Sequence, residues 1–322
     1  MPGLCFLNLS LLSVETRTAY PLITEQLVRG DVQASAPKAV IPKNLKPGRP
    51  KGSVNKNRKV VELSSFQRQL QACINAALTL IGLNFGIVYF VYDGALGNNA
   101  GLQAVIQTGL HLICKLRHDS KLYFPYSGEY SGKGKPRKYG EKLTLETLTD
   151  AHRKSETVEK GIQTCTYQVH VWHKNFPELL NVAIIVKTNL KTGRIAKVLL
   201  FSDDLTLASE KLISYYSLRF QIEFNFRDAK QYWGLEDFMN VKETQVNNAA
   251  NFSLFMVTFS QLLSAKIEGT NKGSMLDLKT IFRARKYTQR IINSLGKNDD
   301  TFLIDDHIFQ AAEIGRIHAR AA

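Results

Sequence analysis

Cysteine is scarce in this 322-residue chain. There are only four, Cys5, Cys73, Cys114 and Cys165, set far apart and with no C-x-x-C pair. That excludes a disulfide framework and a cysteine zinc site, and it fits reduced, mostly buried thiols in a cytosolic protein. Acid is also short, with 28 Asp plus Glu against 42 Lys plus Arg and a net charge of +14. Between Lys38 and Lys59 there is no acid at all. From Thr244 to Ala265 there is no charge of either sign, yet Asn247, Asn248, Asn251, Ser260 and Gln261 argue against a membrane span. A buried helix is expected there. The apolar opening LCFLNLSLLSV lacks the basic residues that precede a signal peptide's core, so it reads as a strand.

Against those absences stands a cationic surplus, which favours polyanionic partners because each neutralised phosphate releases counterions. With 44% apolar residues the chain can bury a real core, as one large domain or two smaller ones. The basic stretch 38–59 carries Pro42, Pro47, Gly48, Pro50 and Gly52 and reads as a linker that cannot pack. Its centre, PGRPKGS at 47–53, resembles an AT-hook, so Arg49 and Lys51 are candidate minor-groove contacts.

Residues 62–83 have helical spacing in Phe66, Leu70, Cys73, Ala77 and Leu80. The unbroken run Gly86–Tyr92 reads as an interior strand covered on both faces and ends at Asp93-Gly94. A helix over 95–108 and a strand over 110–116 complete an α/β crossover. Asp93 thus stands at the carboxyl end of a strand, where open α/β sheets place their sites, although a turn or cap role explains an aspartate there equally well. Strands are expected at 163–172, 180–188 and 196–202, the last two joined by a turn at 189–194. Asp203 and Asp204 then read as helix N-caps. Trp172 reads as a cross-strand packing residue.

The densest pattern is YSLRFQIEFNFRDAK at 216–230. If it forms one helix, Tyr216, Arg219, Glu223, Arg227 and Lys230 share a narrow arc, separate from an apolar stripe of Leu218, Ile222, Phe226, Ala229 and Trp233. Ion pairing at i,i+4 would account for part of that arc. The interval pattern, however, resembles the Y-(2)-R-(3)-E-(6)-K signature of DDE transposases of bacterial insertion sequences, in the group with a β-rich insertion. The context VYDGALGNNAGLQAVIQTGLHLICKLR around Asp93 resembles the same group.

That resemblance implies an RNase H-like α/β fold, a mixed sheet flanked by helices and interrupted by a β-rich insertion. The implied layout is a core in residues 1–124 (with linker 38–59), an insertion in 125–195, more core in 196–268 and a helical region in 269–322. It implies Asp93 and Glu223 as catalytic metal ligands for Mg²⁺ or Mn²⁺, two ions in the intact site. Tyr216, Arg219, Lys230 and, outside the signature, Arg227 would contact DNA. The implied activity is metal-dependent cleavage and transfer of double-stranded DNA at transposon ends and target, at the nucleoid of a bacterial cytoplasm, with no membrane and with a homodimer on DNA left open.

One departure matters. The group carries its first catalytic aspartate on the first sheet strand, but the acids here before Asp93 are only Glu15, Glu25, Asp31 and Glu62. The chain therefore reads as N-terminally truncated, with the first strand missing, a sheet edge exposed, self-association expected and its own activity open. A non-catalytic DNA-binding remnant and an RNase H-like nuclease of another group remain alternatives.

Overall fold

The computed structural model describes residues 4–27, 58–82, 85–130, 132, 134–237, 239, 242–268, 274–295, 305 and 308–309. In chain order the strands are β1 (Phe6–Ser13), β2 (Thr18–Gln26), β3 (Tyr89–Val91), β4 (His111–Leu116), β5 (Leu122–Pro125), β6 (Tyr139–Lys142), β7 (Arg153–Glu159), β8 (Ile162–His173), β9 (Leu180–Asn189) and β10 (Ile195–Ser202). The helices are α1 (Ser65–Ile81), α2 (Asn99–Ile106), α3 (Ser209–Leu218), α4 (Gln221–Trp233), α5 (Glu243–Glu268) and α6 (Met275–Leu295). Packing divides the chain into two compact units, Met1–Cys5 with Leu27–Arg219, and Phe6–Gln26 with Phe220–Ala322.

The first unit is built on a mixed sheet of order β3-β4-β10-β9-β8-β5-β6, with β7 paired to β8. β3 and β4 run parallel, joined by α2 as a crossover, and the other pairs are antiparallel. This mixed α/β architecture, with helices on the sheet, is that of an RNase H-like fold. β4 is buried at Leu112, Ile113 and Cys114 in succession, which requires cover on both faces. Ile113, Ala183 and Leu200 meet Leu207 and Leu212 at the start of α3. α1 begins at a capping box, where Ser64 accepts from Gln67 N–H and Gln67 Oε1 accepts from Ser64 N–H. The β9–β10 hairpin lies where the apolar runs place it.

Two expectations need correction. The run ending at Asp93 is not an interior strand: only Tyr89–Val91 is extended, it pairs with β4 alone among the described residues, and Val88 is exposed. An apolar, β-branched run reports affinity for a sheet, not how many neighbours it finds. The second concerns residues 7–26, which read as strand material running into a loop. They form the β1–β2 hairpin, in register from Phe6↔Gln26 to Ser13↔Thr18, with Arg17 in the left-handed region at φ 54°.

In the second unit that hairpin packs on α4 and α5. The free edge of β2 is satisfied by side chains instead of a third strand. Asn251 donates to Thr24 O at 2.6 Å and accepts from Thr24 N at 3.2 Å, while Asn247 accepts from Gln26 N. Further along, Thr258 donates to Pro21 O and Asn225 to Ala19 O. Two of the three asparagines that argued against a membrane span, Asn247 and Asn251, therefore clamp a strand. Among the described residues no helix is long and apolar enough to cross a membrane. Ala229, Leu235, Ala250, Leu254 and Val257 form the core, with Phe6, Phe226 and Trp233 packed on it.

Candidate functional site

Asp93 stands two residues past the end of β3 and is held there from several sides. Its backbone is extended (φ −74°, ψ −177°), and its Oδ1 accepts from Ala95 N–H at 2.8 Å, capping the 3-10 turn Gly94–Leu96. Behind it, the Cys114 thiol donates to the Asp93 carbonyl at 2.7 Å. Burial pushes that thiol up to about 12, so it stays a neutral donor. The turn lies close on β4: a Cβ at Gly97 would stand 2.5 Å from Lys115 O, so only glycine permits this approach. The carboxylate itself is exposed.

Tyr216 and Arg219, at the end of α3, gather near Asp93. Burial raises the Tyr216 phenol, Arg219 opposes this through charge and a side-chain hydrogen bond, and Cys114 and Asp93 add to the rise. Tyr92 is raised by burial and then by the charge of Asp93, with Arg219 again acting the other way. Two phenols thus lie within electrostatic reach of both the Asp93 carboxylate and the Arg219 guanidinium, all within the first unit.

The single helix expected over 216–230 does not form. α3 ends at Leu218 and α4 begins at Gln221, with Arg219 N–H bonded to Tyr216 O and Glu223 N–H to Phe220 O, both i→i−3. Arg219 and Phe220 keep helical dihedrals, so the break is a tightening into 3-10 geometry rather than a turn residue's doing. The five residues consequently divide: Tyr216 and Arg219 belong to α3, and Glu223, Arg227 and Lys230 to the exposed face of α4.

On α4, Arg227 grips Asp228 at 3.1 Å and lies over the Phe224 ring at 4.8 Å, while Lys230 pairs with Glu236. Glu223 sits in the first turn, where a negative charge also complements the helix dipole. The helix is fixed from beneath by Asn225, only 2% exposed, which donates to Ala19 O at 2.8 Å and accepts from Gln261 Nε2 at 3.1 Å. Sequence reading passed over Asn225, whose partner Ala19 lies 206 residues away, and over Cys114 and Gly97, whose contacts form only once β4 is paired with β3.

Other candidates resolve less symmetrically. Arg49 and Lys51 lie outside the described residues. Trp172 is cross-strand to Tyr123, edge-on to Tyr139, and has Lys138 Nζ 3.4 Å from its ring centroid, so it packs within the sheet. Neither Asp203 nor Asp204 caps α3, whose N-cap is Ala208. Asp203 instead accepts from Leu112 N–H at 2.8 Å and holds His111 Nδ1 at 2.7 Å, extending the β10–β4 ladder by one side chain. Asp204 accepts from Thr206 N–H and Oγ1 and from the Tyr89 hydroxyl at 2.7 Å. Burial pushes the Asp204 carboxyl up, but those hydrogen bonds and His111 outweigh it and hold it below the ordinary range. The Tyr89 phenol, buried and bonded to that carboxylate, is pushed up to about 12.

Among the described residues no group of three or more His, Cys, Asp or Glu gathers as a ready metal cage. Asp93 and Glu223 each present exposed carboxylate oxygens on a fixed element, a donor type that suits a small, hard divalent ion content with one or two carboxylates plus water and phosphate.

No curated protein matches the chain. A family model, described as DDE superfamily endonuclease, matches residues 3–175, more than half of the chain. The match contains the β1–β2 hairpin, α1, β3 with Asp93, and the sheet as far as β8. Enzymes of this kind act on DNA and use divalent metal ions, which agrees with the cationic surplus and the strand-end aspartate. The chain belongs to the DDE superfamily endonuclease family.

Proposed function

We propose that this chain is the transposase of an insertion sequence, acting by in-line displacement at phosphorus on double-stranded DNA at transposon ends and target. The observation that carries the reading is Asp93, held at the tip of β3 by Ala95, Cys114 and Gly97, with Tyr216 within reach of its charge and hydrogen-bonded to Arg219. The remaining members of the signature, Glu223 and Lys230, follow at fixed intervals on the exposed face of α4.

In this reading Asp93 and Glu223 hold Mg²⁺ or Mn²⁺. Bound ions supply charge stabilisation to the attacking and leaving oxygens. Arg219 and Lys230 hold phosphates of the transferred or flanking strand, Arg as a planar fork and Lys as a point charge. The Tyr216 hydroxyl, kept protonated by its buried setting, donates to a phosphate oxygen or packs against a sugar. Arg227 adds charge on the same helix face. Arg49 and Lys51 would reach into an A·T-rich minor groove. The domain layout 1–124, 125–195, 196–268 and 269–322 belongs to the same proposal, as does a nucleoid location.

A non-catalytic DNA-binding role is the second reading, and one observation favours it. Of the acids ahead of Asp93, Glu15 lies in the β1–β2 turn, Glu25 on β2 and Glu62 ahead of α1, and Asp31 lies outside the described residues. The two readings separate on supercoiled plasmid carrying the DNA that flanks the coding sequence. Nicking that requires Mg²⁺ or Mn²⁺ and disappears in Glu223→Gln supports the transposase. Nicking that survives Glu223→Gln removes Glu223 from the chemistry. Binding without nicking favours the second reading, and hydrolysis without strand joining favours a nuclease of another group.

A further inference from the structure

The charge-free stretch expected to be a buried helix is only partly buried. On α5, Ala250, Leu254 and Val257 face the core with α4, and Asn247, Asn251 and Thr258 bond β2. A third face holds Phe252, Phe255, Phe259 and Leu262, which are 64, 55, 46 and 56% exposed. Their spacing alternates three and four, the 3.5-residue repeat of a helix seam. The stripe continues to exposed Asn248 and Gln245 at one end and to exposed Lys266 at the other. Beyond the first two residues of α5, these are the exposed positions among its described side chains. A solvated helix would carry charge on such a face, and here there is none from Thr244 to Ala265.

We infer that this stripe is a self-association surface, occupied by α5 of a second copy of the chain running antiparallel. The seam is self-complementary about Val257. A two-fold axis there sets Phe252 against Leu262 and Phe255 against Phe259 of the other copy, which closes an isologous pair. The same axis brings the Lys266 ammonium to the Asn248 amide. Parallel pairing would set Lys266 against Lys266 and align the two helix dipoles, both unfavourable. Half-exposed side chains of this size offer roughly 400 Å² per copy, about half of what one partner of a standard interface buries. Half-buried Met256 and Leu263 flank the seam and add apolar area. The inference stands apart from the DNA chemistry: failure of the dimer leaves the transposase reading intact, and loss of that reading leaves the seam.

Sedimentation velocity of the full chain across a concentration series tests it. The expected result is a monomer–dimer equilibrium, weakened about 100-fold in the double variant Phe255→Glu, Phe259→Glu, with an unchanged circular-dichroism spectrum and an unlowered monomer melting temperature. Orientation is read in a Cys5→Ser background by mixing chains bearing Phe255→Cys with chains bearing Phe259→Cys. Antiparallel pairing yields mixed disulfides in excess over either homo-disulfide. A wild-type chain that stays monomeric throughout overturns the inference. So does a dimer indifferent to the Glu pair, a monomer whose own melting falls in that variant (the stripe is then covered by the same chain), or a dominant Phe255→Cys homo-disulfide.

Discussion

Asp93 and Glu223 sit in regions held together by different means. Around Asp93 the backbone dominates: a parallel strand pair, a 3-10 turn seated on β4 through Gly97, and a thiol bonded to a carbonyl. Around Glu223 side-chain amides dominate. Asn225, Asn247 and Asn251 substitute for a third strand along β2, and Gln261 braces Asn225. Backbone-held geometry is written in local sequence, as a strand followed by Asp-Gly. Amide-held geometry depends on pairs up to 227 residues apart, Thr24 with Asn251, and leaves almost no local mark.

Substitutions that strike one mode of support should spare the other. The largest effect is expected from Asn225→Leu. It strips a buried carbonyl and Gln261 of their partner, costing about 2–4 kcal/mol in chemical denaturation. Protection of β2 and α4 amides should fall in hydrogen exchange while β4, β9 and β10 keep theirs. Gly97→Ala is the mirror experiment. With a Cβ forced within 2.5 Å of Lys115 O, the turn must shift at a cost of roughly 1–3 kcal/mol, and the loss should appear at β3 and β4.

A smaller effect is expected at the Tyr89–Asp204 bond. Tyr89 is raised, so its contribution is complete below the ordinary phenol value of 10.0 and fades as pH climbs toward about 12. Asp204 is depressed, so its contribution is present above the ordinary carboxyl value of 3.8 and is lost on acidification below it. Tyr89→Phe should therefore cost about 1–2 kcal/mol at neutral pH, with the difference from wild type closing at both extremes. A constant difference across pH would show that the phenol packs rather than bonds. The smallest effect is expected at Lys230→Ala, which should reduce the salt slope of DNA binding by about 1 without altering sequence preference. An unchanged slope would take Lys230 away from phosphate.

Much of the first unit was legible in the sequence. The strand-like runs at 110–116, 163–172, 180–188 and 196–202 match β4, β8, β9 and β10 within a residue or so, because β-branched and aromatic side chains concentrate in strands. The hairpin β1–β2 was hidden by a turn, VETR, that contains neither glycine nor asparagine; Arg17 takes the left-handed position instead. The break at Arg219–Phe220 leaves no mark because both residues keep helical dihedrals. Asp203 and Asp204 precede a helix and so resemble caps, yet their partners, His111, Leu112 and Tyr89, come from strands about 90 to 115 residues earlier. Of the candidate site, Asp93 comes just after a strand, as its sequence context indicated. Glu223, Arg227 and Lys230 share a helix face, as their spacing required.

The central claim, that Asp93 and Glu223 together hold a divalent ion, is tested most directly by titrating Mn²⁺ and following the loss of the free-ion electron paramagnetic resonance signal. Wild type, Asp93→Asn, Glu223→Gln and the double variant are compared in the presence of DNA. Ligands of one site act as a unit, so each single substitution should weaken binding at least about tenfold, and the double should be little worse. Two single variants that bind Mn²⁺ as wild type does would contradict the claim.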